Sequence, residues 1–263
     1  KGLGTGWHCP SSKAKLMIRD KNSGRRVLVF NFIACKMPWN ADRGDSHMKQ
    51  PDYEQVSQAL GALGLIPRGG FHPDGEDNLG AGTVVLVGNA GPGLWQHFAG
   101  HEGGPDALDK WCRAMLTPLA ASLGADIVFP FDGPPYPPFL QWARRGEGLS
   151  PSPIGPLIHP EYGLWHAYRC ALIFAYVMAV PPPFTINPCD TCAERPCLNT
   201  CPVNAFSEAA YNVPACVDHM RQPQGDDCMN LGCQARRACL IGREYHYASP
   251  QARFHMSAFV DNN

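Results

Sequence analysis

The stretch CDTCAERPCLNTCP, residues 189–202, contains four cysteines and ends with a proline directly after the fourth. Its spacing is Cys-x2-Cys-x4-Cys-x3-Cys-Pro. Three kinds of site use closely spaced cysteines: a disulfide framework, structural zinc and an iron–sulfur cluster. The remainder of the chain has to discriminate between them.

The composition argues against a disulfide framework. The chain has 263 residues, of which 44% are hydrophobic and 17% are charged, so it can bury a core without covalent staples. Disulfide frameworks are typical of short secreted chains that lack such a core. Eight of the 12 cysteines fall between Cys189 and Cys239, and the others are scattered singly. We therefore expect metal ligation in a reducing compartment and predict a cytoplasmic protein.

The number of grouped cysteines equals the number of ligands that two cubane clusters require. In bacterial ferredoxin runs, the first three cysteines ligate one cluster and the fourth, which a proline follows, ligates the other. This crossed pattern predicts two ligand sets. The first cysteine set is Cys189, Cys192, Cys197 and Cys239, and the second cysteine set is Cys201, Cys216, Cys228 and Cys233. One or two structural zinc sites are the alternative.

Upstream of the cysteines, helix and strand patterns alternate. Residues 51–65 and 106–124 carry apolar residues at helical spacing. The strand patterns cover residues 83–88 (TVVLVG), 125–131 and 155–177, the last with a turn in its middle. We predict an α+β sandwich domain over residues 48–180.

Composition also divides the chain into segments. PPPFTINP (181–188) is predicted to be a rigid linker, residues 189–242 an iron–sulfur domain and residues 243–263 a C-terminal tail. The chain does not begin with methionine, and Met48 is a candidate first residue of the folded domain. Residues 1–47 are predicted to be an extension, and the sequence leaves open whether they are native.

Charge and hydropathy argue against two classes of partner. The formal charge of −1 gives no basic footprint, so we do not expect a nucleic acid partner. The apolar stretch 170–180 is too short to span a bilayer, and we expect no membrane partner. A twin arginine precedes a second apolar stretch within residues 23–35, where Asn31 favours a buried strand over an export signal.

The cysteine order resembles that of epoxyqueuosine reductase and related cobalamin-dependent reductases, which have four close cysteines, one isolated cysteine and then three more. IGPLIHPEYGLW (154–165) is similar to the family segment that runs from Ile-Gly-Lys to Pro-Glu-Tyr-Gly, with Pro156 in place of the lysine. The resemblance spans about residues 125–242. The chain also resembles, more closely still, small bacterial proteins labelled only as ferredoxins, which pair such a cysteine block with a domain rich in phenylalanine and proline.

The resemblance implies a nitroreductase- or cobalamin-reductase-like sandwich followed by a ferredoxin-like domain with two [4Fe–4S] clusters. Cobalamin is the implied acceptor of their electrons, and FMN is a second candidate. It also implies that Ile154, Gly155, His159 and Tyr162 line the cofactor site, and that Asp132 donates a proton. A structural turn is the alternative for His159 and Tyr162, and simple Asp-Gly turn chemistry is the alternative for Asp132.

Together these observations predict an iron–sulfur reductase. An external donor (a flavodoxin, a ferredoxin or a reductase) would supply single electrons, and a small molecule would be reduced at a cofactor in the N-terminal domain. Two alternatives stay open: an electron carrier without its own catalysis, and a protein that reduces or handles cobalamin. Arg236 and Arg237, between two predicted ligands, are candidates to tune cluster potential or dock a partner, with a solvated pair as the alternative.

Overall fold

The computed structural model describes residues 15–19, 26–30 and 50–263, apart from residues 78, 81, 102, 105, 208 and 209. The chain divides into two compact units, Lys1–Met48 and Lys49–Asn263.

The first unit contains a two-stranded antiparallel sheet. Its strands are β1 (Lys15–Arg19) and β2 (Arg26–Phe30). Strand β2 lies within the apolar stretch 23–35, where the sequence predicts a strand. The rest of the predicted extension, and with it the question of whether residues 1–47 are native, lies outside the described residues.

The second unit is built on a four-stranded antiparallel sheet. Its strands are β3 (Ile66–Phe71), β4 (Thr83–Ala90), β5 (Asp126–Val128) and β8 (His166–Phe174). Their order across the sheet is β3-β4-β8-β5. A short separate pair is formed by β6 (Ser150–Pro151) and β7 (Leu157–Ile158).

Helices flank the sheet and build most of the cysteine-rich part. They are α1 (Tyr53–Gly61), α2 (Trp95–Phe98), α3 (Ala107–Ser122), α4 (Phe139–Glu147), α5 (Pro196–Asn199), α6 (Val213–Met220), α7 (Asp226–Leu231), α8 (Gln234–Arg237) and α9 (Ser249–Asp261). Three 3-10 turns cover Pro188–Thr191, Pro223–Gly225 and Arg243–Tyr245. In the part of the chain that the structure describes, none of these helices is long and apolar enough to cross a membrane.

Strand β4 is buried on both faces of the sheet. Val85 and Val87 join the apolar core that α1 and α3 cover, whereas Val84 and Leu86 join a second core with Trp142 of α4. A strand that is covered on both sides needs apolar residues at every position, which explains the unbroken TVVLVG run. The α+β architecture agrees with the alternating helix and strand patterns of the sequence.

Strand β3 is absent from the sequence prediction because its residues, IPRGGF, include Pro67 and two glycines. Such residues are depleted from strand interiors but are tolerated at sheet edges and bulges. Strand β3 lies at the edge of the sheet, and its register to β4 shifts between Pro67 and Gly70. Position in the sheet therefore outweighs local propensity here.

The predicted C-terminal tail contains helix α9, which packs on the sheet domain, as we call the part of the second unit that contains the four-stranded sheet (residues 50–180). The Phe254 ring lies 5.4 Å from the Trp95 ring and 5.3 Å from the Phe98 ring, measured between centroids. Helix α9 thus completes an aromatic group that begins in α2. Its mixed polar and apolar residues give only a weak helical pattern, so the sequence predicts a C-terminal tail there and no helix.

The cysteine segment, residues 189–242, lies inside the second compact unit together with the sheet. One apolar patch joins the two parts: Ile154, Ile158 and Leu164 pack with Cys197 and Ala235. The boundary that the sequence predicts at residues 181–188 therefore lies within this unit.

Candidate metal centres

The four thiols of the first cysteine set line one pocket of about 150 Å³. Cys189 lies in the 3-10 turn that opens the segment, and Cys192 directly follows that turn. Cys197 lies in α5, and Cys239 comes from the far end of the segment, after α8. Side chains of the sheet domain, including Leu164, line the same pocket.

The four thiols of the second cysteine set line another, smaller pocket. Cys216 lies on α6, Cys228 lies on α7 and Cys233 is the residue that precedes α8. Cys201 reaches this pocket although it belongs, in sequence, to the first run of cysteines. The structure therefore groups the cysteines in the crossed order and not in chain order. That these sulfurs bind iron stays a prediction.

Burial raises the pKa of thiols in both cysteine sets. Burial raises the pKa of the Cys189 thiol to about 11, and the three other thiols of the first set add to the rise. Burial also raises the pKa of Cys216 and Cys233 in the second set. A bound metal supplies the positive charge that thiolates need, so this environment is one in which metal binding and deprotonation are coupled.

A backbone N–H group donates a hydrogen bond to one sulfur of the second set. The Ala205 N–H lies 3.3 Å from Cys201 Sγ. The backbone N–H groups of Arg236 and Ala235 lower the pKa of the Cys233 thiol, against the larger effect of burial. Hydrogen bonds to cysteine sulfur are one of the means by which proteins set the potential of an iron–sulfur cluster.

The donor set fits iron–sulfur chemistry. Among the described residues, no three His, Cys, Asp or Glu side chains are arranged to hold a single metal ion. A cubane cluster requires a wider arrangement, since each of its four cysteines binds a different iron. Four thiols line each pocket, which is the number of cysteine ligands that one cubane cluster takes.

Asp132 lies in an exposed turn and is ion-paired. Its carboxylate accepts hydrogen bonds from the Arg113 side chain and, at 2.8 Å, from the Phe129 N–H. Burial raises the pKa of Asp132, but these two donors outweigh that effect and the net pKa falls. A general acid needs a pKa near the working pH. The geometry favours the turn alternative, and the proton-donor role stays a prediction.

His159 anchors its own turn. Its Nδ1 accepts hydrogen bonds from the N–H groups of Glu161 and Tyr162, both at 3.0 Å, and its ring stacks on the Tyr162 ring at 4.1 Å. Burial lowers the pKa of His159 to about 3, with a further contribution from Arg68. His159 is therefore neutral, and both of these side chains are engaged in the turn.

The other two predicted cofactor residues differ in exposure: Ile154 is buried and Gly155 is exposed. Ile154 is buried in the apolar patch beside Cys197 and Cys201. Gly155 has a φ of +103° with open space where a Cβ would stand. The structure brings Ile154 next to the cysteine pockets, and the cofactor-binding role of the four residues stays a prediction.

A buried polar network that the sequence does not predict lies next to this turn. Arg68 is 1% exposed, and its Nε and Nη2 each donate to a Glu147 oxygen at 2.8 Å. Arg68 Nη2 also lies 3.2 Å from His166 Nδ1, and the Tyr168 hydroxyl donates to Glu147. His159 Nε2 lies 4.0 Å from Glu147, beyond hydrogen-bonding distance. The sequence signal that could have indicated this network is the arginine within the otherwise uncharged stretch IPRGGF.

No protein-family model and no curated protein sequence matches the chain. Among solved structures, epoxyqueuosine reductase from Streptococcus thermophilus is similar at 14% identity and a TM-score of 0.40, over 63% of this chain and 50% of that one. A structure of epoxyqueuosine reductase with a tRNA-Tyr epoxyqueuosine-modified stem loop is similar at 14% identity and a TM-score of 0.45, over 76% of this chain and 68% of that one. This chain thus spans half the length of the first neighbour. Both neighbours are epoxyqueuosine reductases.

Proposed function

We propose that the protein transfers single electrons through two [4Fe–4S] clusters, one held by each cysteine set. The observation that carries this proposal is the pair of pockets, each lined by four thiols that come from the crossed segments. When bound, such clusters supply one-electron redox chemistry. The eight thiolates would hold them, and the Ala205 N–H at Cys201 would stabilise the added negative charge.

The surroundings of the two pockets suggest a direction for the electrons. Ile158 and Leu164 of the sheet domain line the first pocket, whereas Met220 and Met256 of helices α6 and α9 line the second. We infer that electrons from an external donor enter at the second cysteine set and leave at the first, toward the sheet domain. A flavodoxin, a ferredoxin or a reductase has the chemistry of such a donor.

The acceptor that we propose is a cofactor bound by the sheet domain, with cobalamin as the first candidate and FMN as the second. Support comes from residues 154–165, which resemble the reductase family and whose Ile154, Ile158 and Leu164 pack against the cysteine segment. The final substrate is proposed to be a small molecule. The formal charge of −1 offers little attraction for the phosphates of a nucleic acid.

A second candidate function is an electron carrier without its own catalysis. Two observations favour it: His159 and Tyr162 are engaged in their own turn, and Asp132 is paired with Arg113. The clusters would then serve a partner enzyme. A protein that reduces or handles cobalamin is the third candidate, and it shares the electron path of the first.

Anaerobic purification followed by metal analysis tests the proposal. We expect about eight irons and about eight inorganic sulfides per chain. Titration with cobalamin and then with FMN, followed by absorbance, separates the candidates: a spectral shift supports the reductase or the handling protein, and full clusters with no response support the carrier. Zinc without sulfide would overturn all three.

A further inference from the structure

His219 lies on the face of helix α6 that carries Cys216, a thiol of the second cysteine set. The two residues are three apart within Val213–Met220, and residues at this spacing share one helix face. Helical side chains lean toward the N-terminus of their helix, so the His219 side chain leans toward the turn that holds Cys216. His219 lines the pocket of the second set together with its four thiols. The histidine is therefore part of the wall of this candidate metal centre.

One ring nitrogen of His219 is buried without satisfying its hydrogen-bonding capacity. Nε2 makes no hydrogen bond to any residue that the structure describes. Almost all buried polar atoms in native proteins are hydrogen-bonded, so such an atom indicates a group that binds beside it.

The composition of the pocket wall indicates the chemistry of that group. Besides His219 and the four thiols, Gln234 is the one polar residue among the described residues that line this pocket. The other lining residues are apolar: Pro202, Val203, Phe206, Met220, Ala235 and Met256. Sulfur is thus the hydrogen-bond acceptor that most of the polar side chains here supply, and a cluster would add further sulfur.

We propose that His219 Nε2 carries a hydrogen and donates it to a sulfur of the cluster held by the second cysteine set, and thereby raises the reduction potential of that cluster. This inference rests on the proposed function. Thiolates and sulfides only accept hydrogen bonds, so the nitrogen that binds them has to be the donor. Reduction adds negative charge to the sulfurs, and a donor to them favours the reduced form. A higher potential makes this cluster easier for the external donor to reduce, which is its role in the proposed electron path.

His246 provides the matched control. Its Nε2 is also buried and without a hydrogen-bond partner among the described residues. Its ring packs against the Trp165 ring, with 4.4 Å between centroids, and it lines neither cysteine pocket. Replacing His246 therefore removes an equivalent ring nitrogen at a place where we expect no cluster.

The first test compares His219→Phe, His219→Gln and His246→Phe. Phenylalanine keeps an aromatic ring without the donor, whereas glutamine keeps an N–H group near the end of the side chain. Midpoint potentials are measured by anaerobic redox titration followed by electron paramagnetic resonance, together with iron and sulfide content. We expect His219→Phe to lower one midpoint potential and leave the other, His219→Gln to lower it less, and His246→Phe to change neither. Unchanged potentials in His219→Phe at full iron content would overturn the inference, as would an equal shift in either of the other variants.

A spectroscopic test does not depend on the stability of these variants. The unsubstituted protein is labelled at histidine with the heavy nitrogen isotope, and nitrogen couplings of the reduced clusters are measured by electron–nuclear double resonance. A weak coupling supports the hydrogen bond, because His219 is the one histidine, among the described residues, that lines either cysteine pocket. No coupling would overturn the inference, and so would the strong coupling of an iron-bound imidazole. Absence of iron from the unsubstituted protein would instead refute the proposed function, so the two failures are distinguishable.

Discussion

Arg68 and Glu147 form a bidentate ion pair in the core, with both N–O distances at 2.8 Å. Arg68 is 1% exposed and Glu147 is 5% exposed. Strand β3 supplies the arginine and the last turn of α4 supplies the glutamate, so the pair joins the edge strand to the helix that covers it. Arg68 Nη1 is buried and has no hydrogen-bond partner among the residues that the structure describes. The pair therefore fixes β3 against α4. The buried positive charge of Arg68 needs the Glu147 carboxylate as its counter-charge.

Replacing Glu147 with Gln should destabilise the protein strongly. The change leaves the Arg68 charge buried without a counter-charge, and breaking such a pair costs about 3–5 kcal/mol. Urea denaturation measures the free energy of unfolding. The matched control is Asp74→Asn, which breaks the exposed pair with Arg145 and should cost less than about 1 kcal/mol. Equal effects of the two changes would contradict the structural role of the buried pair.

The lowered pKa of His159 leads us to expect that the protein loses stability in acid. Because burial lowers its pKa to about 3, the unfolded chain binds a proton below a pH of about 6.5 and the folded chain does not. Stability is therefore complete above that pH and falls as the pH decreases toward the folded pKa. The loss from this group at pH 5 should be about 2 kcal/mol.

The variant His159→Asn checks this expectation, because Asn Oδ1 can accept the two backbone N–H groups in place of Nδ1 but does not titrate. Urea denaturation of both proteins at pH 7 and pH 5, in the same metal-loaded state, should show a smaller decrease for the variant. Equal decreases would mean that the acid sensitivity arises elsewhere, for example at His166, whose pKa burial lowers to about 2.

Paired cysteine substitutions test the crossed grouping directly. Cys201 and Cys216 line the same pocket, so the double variant Cys201→Ala with Cys216→Ala should lose one cluster and keep about four irons. Cys197 and Cys216 line different pockets, so the corresponding double variant should lose both clusters. Iron and sulfide analysis after anaerobic purification provides the measurement. Cys170→Ala, at a buried cysteine outside both pockets, is the control and should keep all the iron.

Asp132→Asn should leave cluster content and turnover nearly unchanged. The Asp132 carboxylate is held ionised by Arg113 in an exposed turn, and losing this pair should cost less than about 1 kcal/mol. Steady-state reduction assays with cobalamin- or FMN-loaded protein provide the measurement. A loss of about 100-fold or more with clusters and cofactor intact is the size expected for a lost general acid, and would assign Asp132 to proton transfer.

Several features followed from the sequence because they depend on local pattern. The apolar periodicity of residues 51–65 and 106–124 predicted helices α1 and α3, and the TVVLVG run predicted strand β4. Strand β3 and helix α9 could not be predicted in this way. Their residues have weak or contrary propensities, and the contacts that stabilise them come from distant segments.

The cysteine sequence by itself determined how many thiols are available, and its resemblance to ferredoxin runs predicted the crossed sets. Only the tertiary structure decided that Cys239 returns to the first three cysteines and that Cys201 turns away from them. The return depends on close backbone packing: Gly163 and Gly242 both have positive φ, and a Cβ at Gly242 would collide with the Tyr162 carbonyl.

The same distinction applies to the charged residues. In the sequence, Arg68 lies in the glycine-containing stretch IPRGGF and Arg236 lies beside Arg237, and the sequence pairs none of these arginines with another residue. Burial brings Arg68 to Glu147, which is 79 residues away, and Arg236 to the carbonyl of Leu164, which is 72 residues away. Spacing along the chain fixes which ligands a segment can offer. Which charges are desolvated and paired depends on how distant segments pack, and no local pattern encodes that.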